Sequence, residues 1–146
     1  MTAQPLTVAQ TVGEIVRLAN EYQSDVAGVP WYSVQDIFRT VRGLPYVPDE
    51  EAPENELGAM EFLKRTGLTL RSGGDCDDKT ALALAGLVKL GVPARVVTVS
   101  YNPDQVLEHV YLEVMLLGTS FWQPFDPTNT DRPFTEKPFT SKIAWG

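Results

Sequence analysis

One cysteine and one histidine occur among 146 residues. Cys76 lies in GGDCDDKTALALAG, residues 73–86, behind two glycines and among Asp75, Asp77 and Asp78. His109 opens HVYLEVML (109–116), and Asp126 closes TSFWQPFD (119–126). A thiol, an imidazole and a carboxylate are the side chains of nucleophilic acyl chemistry. In that scheme Cys76 attacks an acyl carbon, His109 takes the thiol proton and later gives it to the leaving amine, and Asp126 holds the imidazole tautomer. Three aspartates would oppose a thiolate, yet Asp75 reads as a helix N-cap, which puts Cys76 at the first helical position. There the unpaired N–H groups and the helix dipole favour an anion. Asp77 and Asp78 still work against it, and a nearby imidazolium would tip the balance. The backbone N–H of Cys76 would supply half of an oxyanion hole, a donor worth about 3–4 kcal/mol of barrier. Gln35, Trp31 and Asn55 are candidates for the other half.

Positioning these groups falls to the elements around them. DCDDKTALALAGLVKLGVP has Asp75 as cap, Asp77 and Asp78 in the first turn, Lys89 in the last, Gly91 just beyond and Pro93 after it. Those are the start and stop signals of one helix. Its middle is apolar all round, which predicts central burial, and Ala81, Ala83, Ala85 and Gly86 keep it thin. Ahead of it, apolar spacing predicts a helix over 8–23 and a second in WYSVQDIFRTVRG, with Ser33 as N-cap and Gly43 as stop. A third is expected in ELGAMEFLKRTG, closed by Gly67. The intervening LPYVPDEEAPENE, with three prolines and five acids, reads as a solvated loop.

Three strands are expected over 94–101, 109–116 and 119–126. In the second, His109, Tyr111 and Glu113 alternate with Val110, Leu112 and Val114. A turn centred on Leu117-Gly118 would set His109 directly opposite Asp126, where cross-strand Cβ atoms lie about 4.5–5.5 Å apart. Tyr101, Asn102 and the loop to Glu108 would flank a substrate channel. The fold class is therefore α+β: N-terminal helices, a buried helix starting at the cysteine, then a small antiparallel sheet.

Charge narrows the partners. A net charge of −7 leaves little to displace the counterions of a nucleic acid or to bind an anionic membrane. The longest apolar stretch, Ala81 to Val88, is too short to span a bilayer, and MTAQPLTVAQ lacks the features of a secretory signal. A lone cysteine makes no internal disulfide, so a reducing, cytoplasmic setting is expected. The aspartates beside Cys76 lack the glycine and terminal glutamate of a calcium loop. Cys76, His109 and one aspartate are too few soft ligands for structural zinc. No cofactor and no metal are expected.

In order along the chain, GGDCDDKTALALAGLVKLGVPARVV, HVYLEV and FWQPFDPT resemble the core of the transglutaminase-like superfamily, whose fold is papain-like. The family pattern has G-D-C near a helix start, G-[IV]-P-A-R where the helix exits into a strand, then H-x-[WY]-x-E-V and W-x-x-x-D-P-T. The resemblance implies a Cys76–His109–Asp126 triad acting on peptide amides through a thioester, as a hydrolase (a peptidase among them) or an acyltransferase. It divides a single domain, 1–146, into a helical part (1–70), a catalytic core (72–128) and an irregular tail (129–146). Nothing in the first 70 residues aligns with the core pattern. No calcium-binding insert accompanies the motifs, so no calcium dependence is carried over. The stand-alone size and the GGDCDD variant are similar to proteins encoded by bacteria and their phages. The expected partner is a peptide or protein substrate, with no nucleic acid and no membrane. The alternative is a structural component of a phage particle, in which copies form a homo-oligomer or join the virion and Cys76 is walled off from solvent.

Overall fold

The computed structural model describes residues 7–47, 65–103 and 109–146. Among these, the helices are α1 (Val8–Glu21), α2 (Val34–Gly43), α3 (Thr66–Ser72) and α4 (Cys76–Leu90), with a short 3-10 turn at Gln23–Asp25. The strands are β1 (Ala94–Ser100), β2 (His109–Val114), β3 (Gln123–Phe125) and β4 (Ser141–Trp145), in the sheet order β3-β2-β1-β4 with every pairing antiparallel. This is an α+β arrangement. No helix among the described residues is long and apolar enough to cross a membrane.

Local chemistry sets the helix ends. Thr7 and Gln10 form a capping box at the start of α1, and Ser33 Oγ accepts the Asp36 N–H at the start of α2. Gly91 closes α4 in the left-handed conformation, φ +72°, where a side chain would be strained. α4 is the axis of the core. Every residue from Asp77 to Leu87 is buried, and α1, α2, α3, β1 and β2 all pack against it. Full burial of Leu82 and Leu87 contributes about 2 kcal/mol each. A Cβ on Gly86 would lie 2.8 Å from the Trp31 ring, so glycine permits this close approach.

The sheet has two unlike faces. Val96, Val110, Leu112, Val114 and Phe125 join the helical core, whereas Val97, Val99 and Tyr111 form a separate cluster with Tyr101. α4 and β2 run side by side with their beginnings together. Thr80 Oγ1 donates to the Val110 carbonyl (3.2 Å) near one end, and Met115 N–H donates to the Pro93 carbonyl (3.0 Å) beyond the other.

Several expectations need correction. Of the third helix expected over 56–67, residues 56–64 lie outside the described residues. Gly67 does not close a helix; it sits in the first turn of α3. Its small size serves Asp25, whose carboxyl carbon a Cβ would meet at 2.9 Å and whose Oδ2 accepts the Gly67 N–H at 2.8 Å. The tail is not irregular throughout: Ser141–Trp145 pairs with β1, and Trp145 Nε1 donates to Thr98 Oγ1 at 2.9 Å. It is an edge strand with mostly exposed side chains, so it lacks the apolar alternation that reveals a strand. The hairpin register is displaced by two residues, with Leu112 facing Phe125. The turn lies where it was expected, at 116–119, with Gly118 at φ +85°. The displacement arises because Ser120, Phe121 and Trp122 lengthen the outgoing arm, against Met115 alone on the incoming one.

Candidate active site

Two glycines lead into the cysteine. Gly73 has φ +82° and ψ −173°, a region open to glycine alone, and a Cβ there would fall 2.2 Å from the Pro45 carbonyl oxygen. Gly74 N–H donates to Pro45 O at 3.1 Å and Gly74 O accepts from Val47 N–H at 3.0 Å. The strand-like segment 45–47 thus lies against the chain just before Cys76. A Cβ on Gly74 would lie 2.5 Å from the Asp78 side chain, so both glycines answer to packing.

The flanking aspartates are absorbed by the helix. Asp75 Oδ1 accepts the Asp78 N–H at 3.1 Å, and Asp78 Oδ2 accepts the Asp75 N–H at 3.2 Å. This reciprocal cap places Cys76 at the first position of α4, and a cap of this kind is worth about 1 kcal/mol. Cys76 is half-buried, and its Sγ lies 3.8 Å from Asp77 Oδ1. Lys79 is buried beneath, its Nζ donating to the Leu44 carbonyl at 2.8 Å. Burial lowers the Lys79 pKa, and the Arg42 charge lowers it further. This lysine pins the start of segment 44–47 to the first turns of α4.

His109 and Asp126 meet as expected, by a different route. His109 Nε2 is 2.9 Å from both carboxylate oxygens of Asp126, and the two residues are 4% and 0% exposed. Continuing the observed register sets Asp126 level with Tyr111, so His109 reaches it along the diagonal. A two-residue displacement keeps every side chain on its own face of the sheet, which is why the pair survives the change. Asp126 also accepts the N–H groups of Thr128 and Asn129, each at 3.2 Å, a turn that starts at the carboxylate itself. A carboxylate can only accept, so Nε2 carries the ring proton of neutral His109 and Nδ1 keeps the lone pair.

The structure therefore joins His109 to Asp126 and places Cys76 at the helix end beside the start of β2. Thr80, one turn on from Cys76 and so on the same side of α4, is hydrogen-bonded to the residue after His109. Of the three candidates for the second oxyanion donor, Trp31 is spent elsewhere. Its indole N–H donates to Thr40 Oγ1 at 3.0 Å, and the residue is 2% exposed. Gln35 is exposed on α2. Asn55 and the loop 104–108 lie outside the described residues.

Residues 16–127 match the family model of the transglutaminase-like superfamily. The chain belongs to that superfamily. No curated protein matches it. Among solved structures it is similar to a "Putative Cysteine Protease from Cytophaga hutchinsonii", at 19% identity and a TM-score of 0.42, over 86% of this chain and 40% of that one. This transglutaminase-like chain thus spans less than half of that protein's length.

The family match starts well before the motifs, at residue 16, and corrects the expectation that nothing in the first 70 residues aligns with the family core. The last six residues of α1 and all of α2 fall within it. In this transglutaminase-like core the face of β2 that carries His109 is polar yet buried. Glu113 binds Arg95 (2.7 Å) and Lys142 (2.6 Å). Burial would raise its pKa, but the two cations outweigh that and hold it below the usual range. Tyr101, expected to flank a substrate channel, lies against the His109 ring; Tyr111, which also stacks on it, and Glu136, which holds Tyr111, are not among the expected site residues. Tyr111 was legible by alternation with His109; Glu136, far along the tail, carries no local signal.

Proposed function

We propose that this chain is a cysteine-dependent amidase or acyltransferase acting on peptide amides through Cys76, His109 and Asp126. The supporting observation is the buried His109–Asp126 pair, which fixes the proton on Nε2 and leaves Nδ1 as the base. In the reaction, Nδ1 takes the Cys76 proton as sulfur adds to the amide carbon. The tetrahedral oxyanion collapses, the C–N bond breaks, and the imidazolium gives its proton to the departing amine. The resulting thioester is then attacked by water, or by an acceptor amine, whose proton passes to Nδ1 as the C–S bond breaks and Cys76 is regenerated. The Cys76 N–H at the helix start supports the oxyanion.

The test is alkylation of the single thiol across pH 5–9. The expected result is a thiol that reacts faster at neutral pH than free cysteine, with the excess lost in His109→Ala. Cleavage of a mixed peptide library should vanish in Cys76→Ala. A thiol no faster than free cysteine would overturn this assignment and favour the structural role in a phage particle.

A further inference from the structure

His109 is held by rings as well as by Asp126. Its imidazole lies nearly parallel to Tyr111 (centroids 5.4 Å, 27°) and to Tyr101 (6.3 Å, 23°). Val99 pairs with His109 and Val97 with Tyr111, so Tyr101 lies past His109 on the side away from Tyr111. The two tyrosines flank the ring along the strand. Each hydroxyl is anchored by the segment that follows Asp126. Asn129 Nδ2 donates to Tyr101 Oη at 3.3 Å. Tyr111 Oη donates to Glu136 Oε2. The same Glu136 oxygen also takes Lys142 Nζ at 2.9 Å, a residue of β4. One stretch of chain thus supplies the carboxylate partner of the imidazole and the anchors of both flanking rings.

We infer that Glu136 is a positioning residue: through the Tyr111 hydroxyl it fixes the ring stacked on His109, and so keeps Nε2 aligned on Asp126. Its catalytic meaning rests on the function proposed above, but the arrangement itself is testable without any substrate. The geometry carries it in three ways. Tyr111 is 2% exposed, so its hydroxyl needs a partner within the fold, and Glu136 supplies it. Glu136 is reached from outside, its side chain a quarter exposed, so it can be altered without emptying the core. A ring nitrogen shared between two carboxylate oxygens is sensitive to small rotations, because hydrogen bonds weaken steeply with angle.

Because His109 is the only histidine, the ¹⁵N spectrum of histidine-labelled protein reports this imidazole alone. In the parent protein, at a pH where the ring is neutral, the Nε2–H tautomer should dominate. In Glu136→Ala and in Tyr111→Phe the minor tautomer should rise by about five-fold, the size of one net hydrogen bond. Glu136→Gln, which keeps an acceptor, should restore the parent spectrum. The double variant Tyr111→Phe/Glu136→Ala should match either single one, since both cut the same link. Lys142→Met, which removes the other partner of Glu136, should lower the melting temperature and leave the imidazole signals in place. An unchanged spectrum in Glu136→Ala, a Gln variant as disruptive as Ala, strictly additive effects, or a Lys142→Met change of equal size would each overturn the inference. Absence of peptide cleavage in a parent protein whose Nε2–H tautomer dominates would count against the proposed function and leave this inference standing.

Discussion

The two halves of the candidate site are built on different principles. On the cysteine side, the helix cap is set by neighbours in sequence: Asp75 and Asp78 are three residues apart, and the glycines immediately precede them. On the histidine side it is set by distant partners: Asp126 is seventeen residues from His109, and Glu136 twenty-five from Tyr111. A helix end can be specified within one turn, because its unpaired N–H groups need only a nearby side-chain oxygen. An imidazole on a sheet has no such local device and must be held by whatever the sheet topology brings across. The residues that support Cys76 should therefore respond to substitution mainly through stability, and those that support His109 mainly through chemistry.

The strongest way to break that comparison is Asp126→Asn. The amide oxygen still accepts the N–H groups of Thr128 and Asn129, so the turn and the fold should persist. Its NH₂ competes for the imidazole and favours the wrong tautomer. Under the proposed function, peptide cleavage should fall by about 10⁴-fold, the loss that follows the same change in a Ser-His-Asp triad, with the urea midpoint little changed. Equal losses of stability and activity would show that Asp126 serves the turn more than the ring.

Gly73→Ala tests the opposite side. Alanine would have to adopt φ +82°, ψ −173°, with its Cβ on top of the Pro45 oxygen. The expected cost is about 3 kcal/mol of unfolding free energy, measured by urea titration. A variant of parent stability would mean that segment 45–47 is free to move away and does not wall the cysteine.

The same distinction explains what could be read from the sequence. Ser33, Asp75 and Gly91 were legible as caps because each acts on residues a few positions away. The grouping of Cys76, His109 and Asp126 rests on the family resemblance, whose motifs follow one another in a known order. Hairpin register was legible in parity but not in count, since nothing marks Ser120–Trp122 as an addition to one arm. Trp122 is held there by Arg95, whose guanidinium lies 4.4 Å from the ring centroid, a contact between distant parts of the chain. β4 carries no sequence signature because an exposed edge strand needs no apolar pattern. Gly67 misled because a glycine near a helical segment serves equally as a stop or as a point of close approach. Only the fold brings Asp25 against it.

Asp25 also shows that the helical side has long-range ties besides those of Gly74 and Lys79, and it gives the smallest expected effect. The Arg65 guanidinium, foremost, together with the Gly67 N–H and the Thr66 hydroxyl, holds the Asp25 carboxyl down from 3.8 to about 2. A carboxyl depressed in the folded state stabilises it above the unfolded pKa of about 3.9, and that contribution fades as pH falls through the folded value. Asp25→Asn should therefore be less stable than the parent by about 1 kcal/mol at pH 7, with the difference shrinking between pH 4 and pH 2. The figure is set below the full linkage value because the Arg65 side chain is 56% exposed and its charge is screened. Urea unfolding at pH 7, 4 and 2.5 measures it. A deficit that stays constant with pH would assign the loss to the hydrogen bonds at the start of α3 rather than to charge, making this tie one more helix cap, supplied here from a distance.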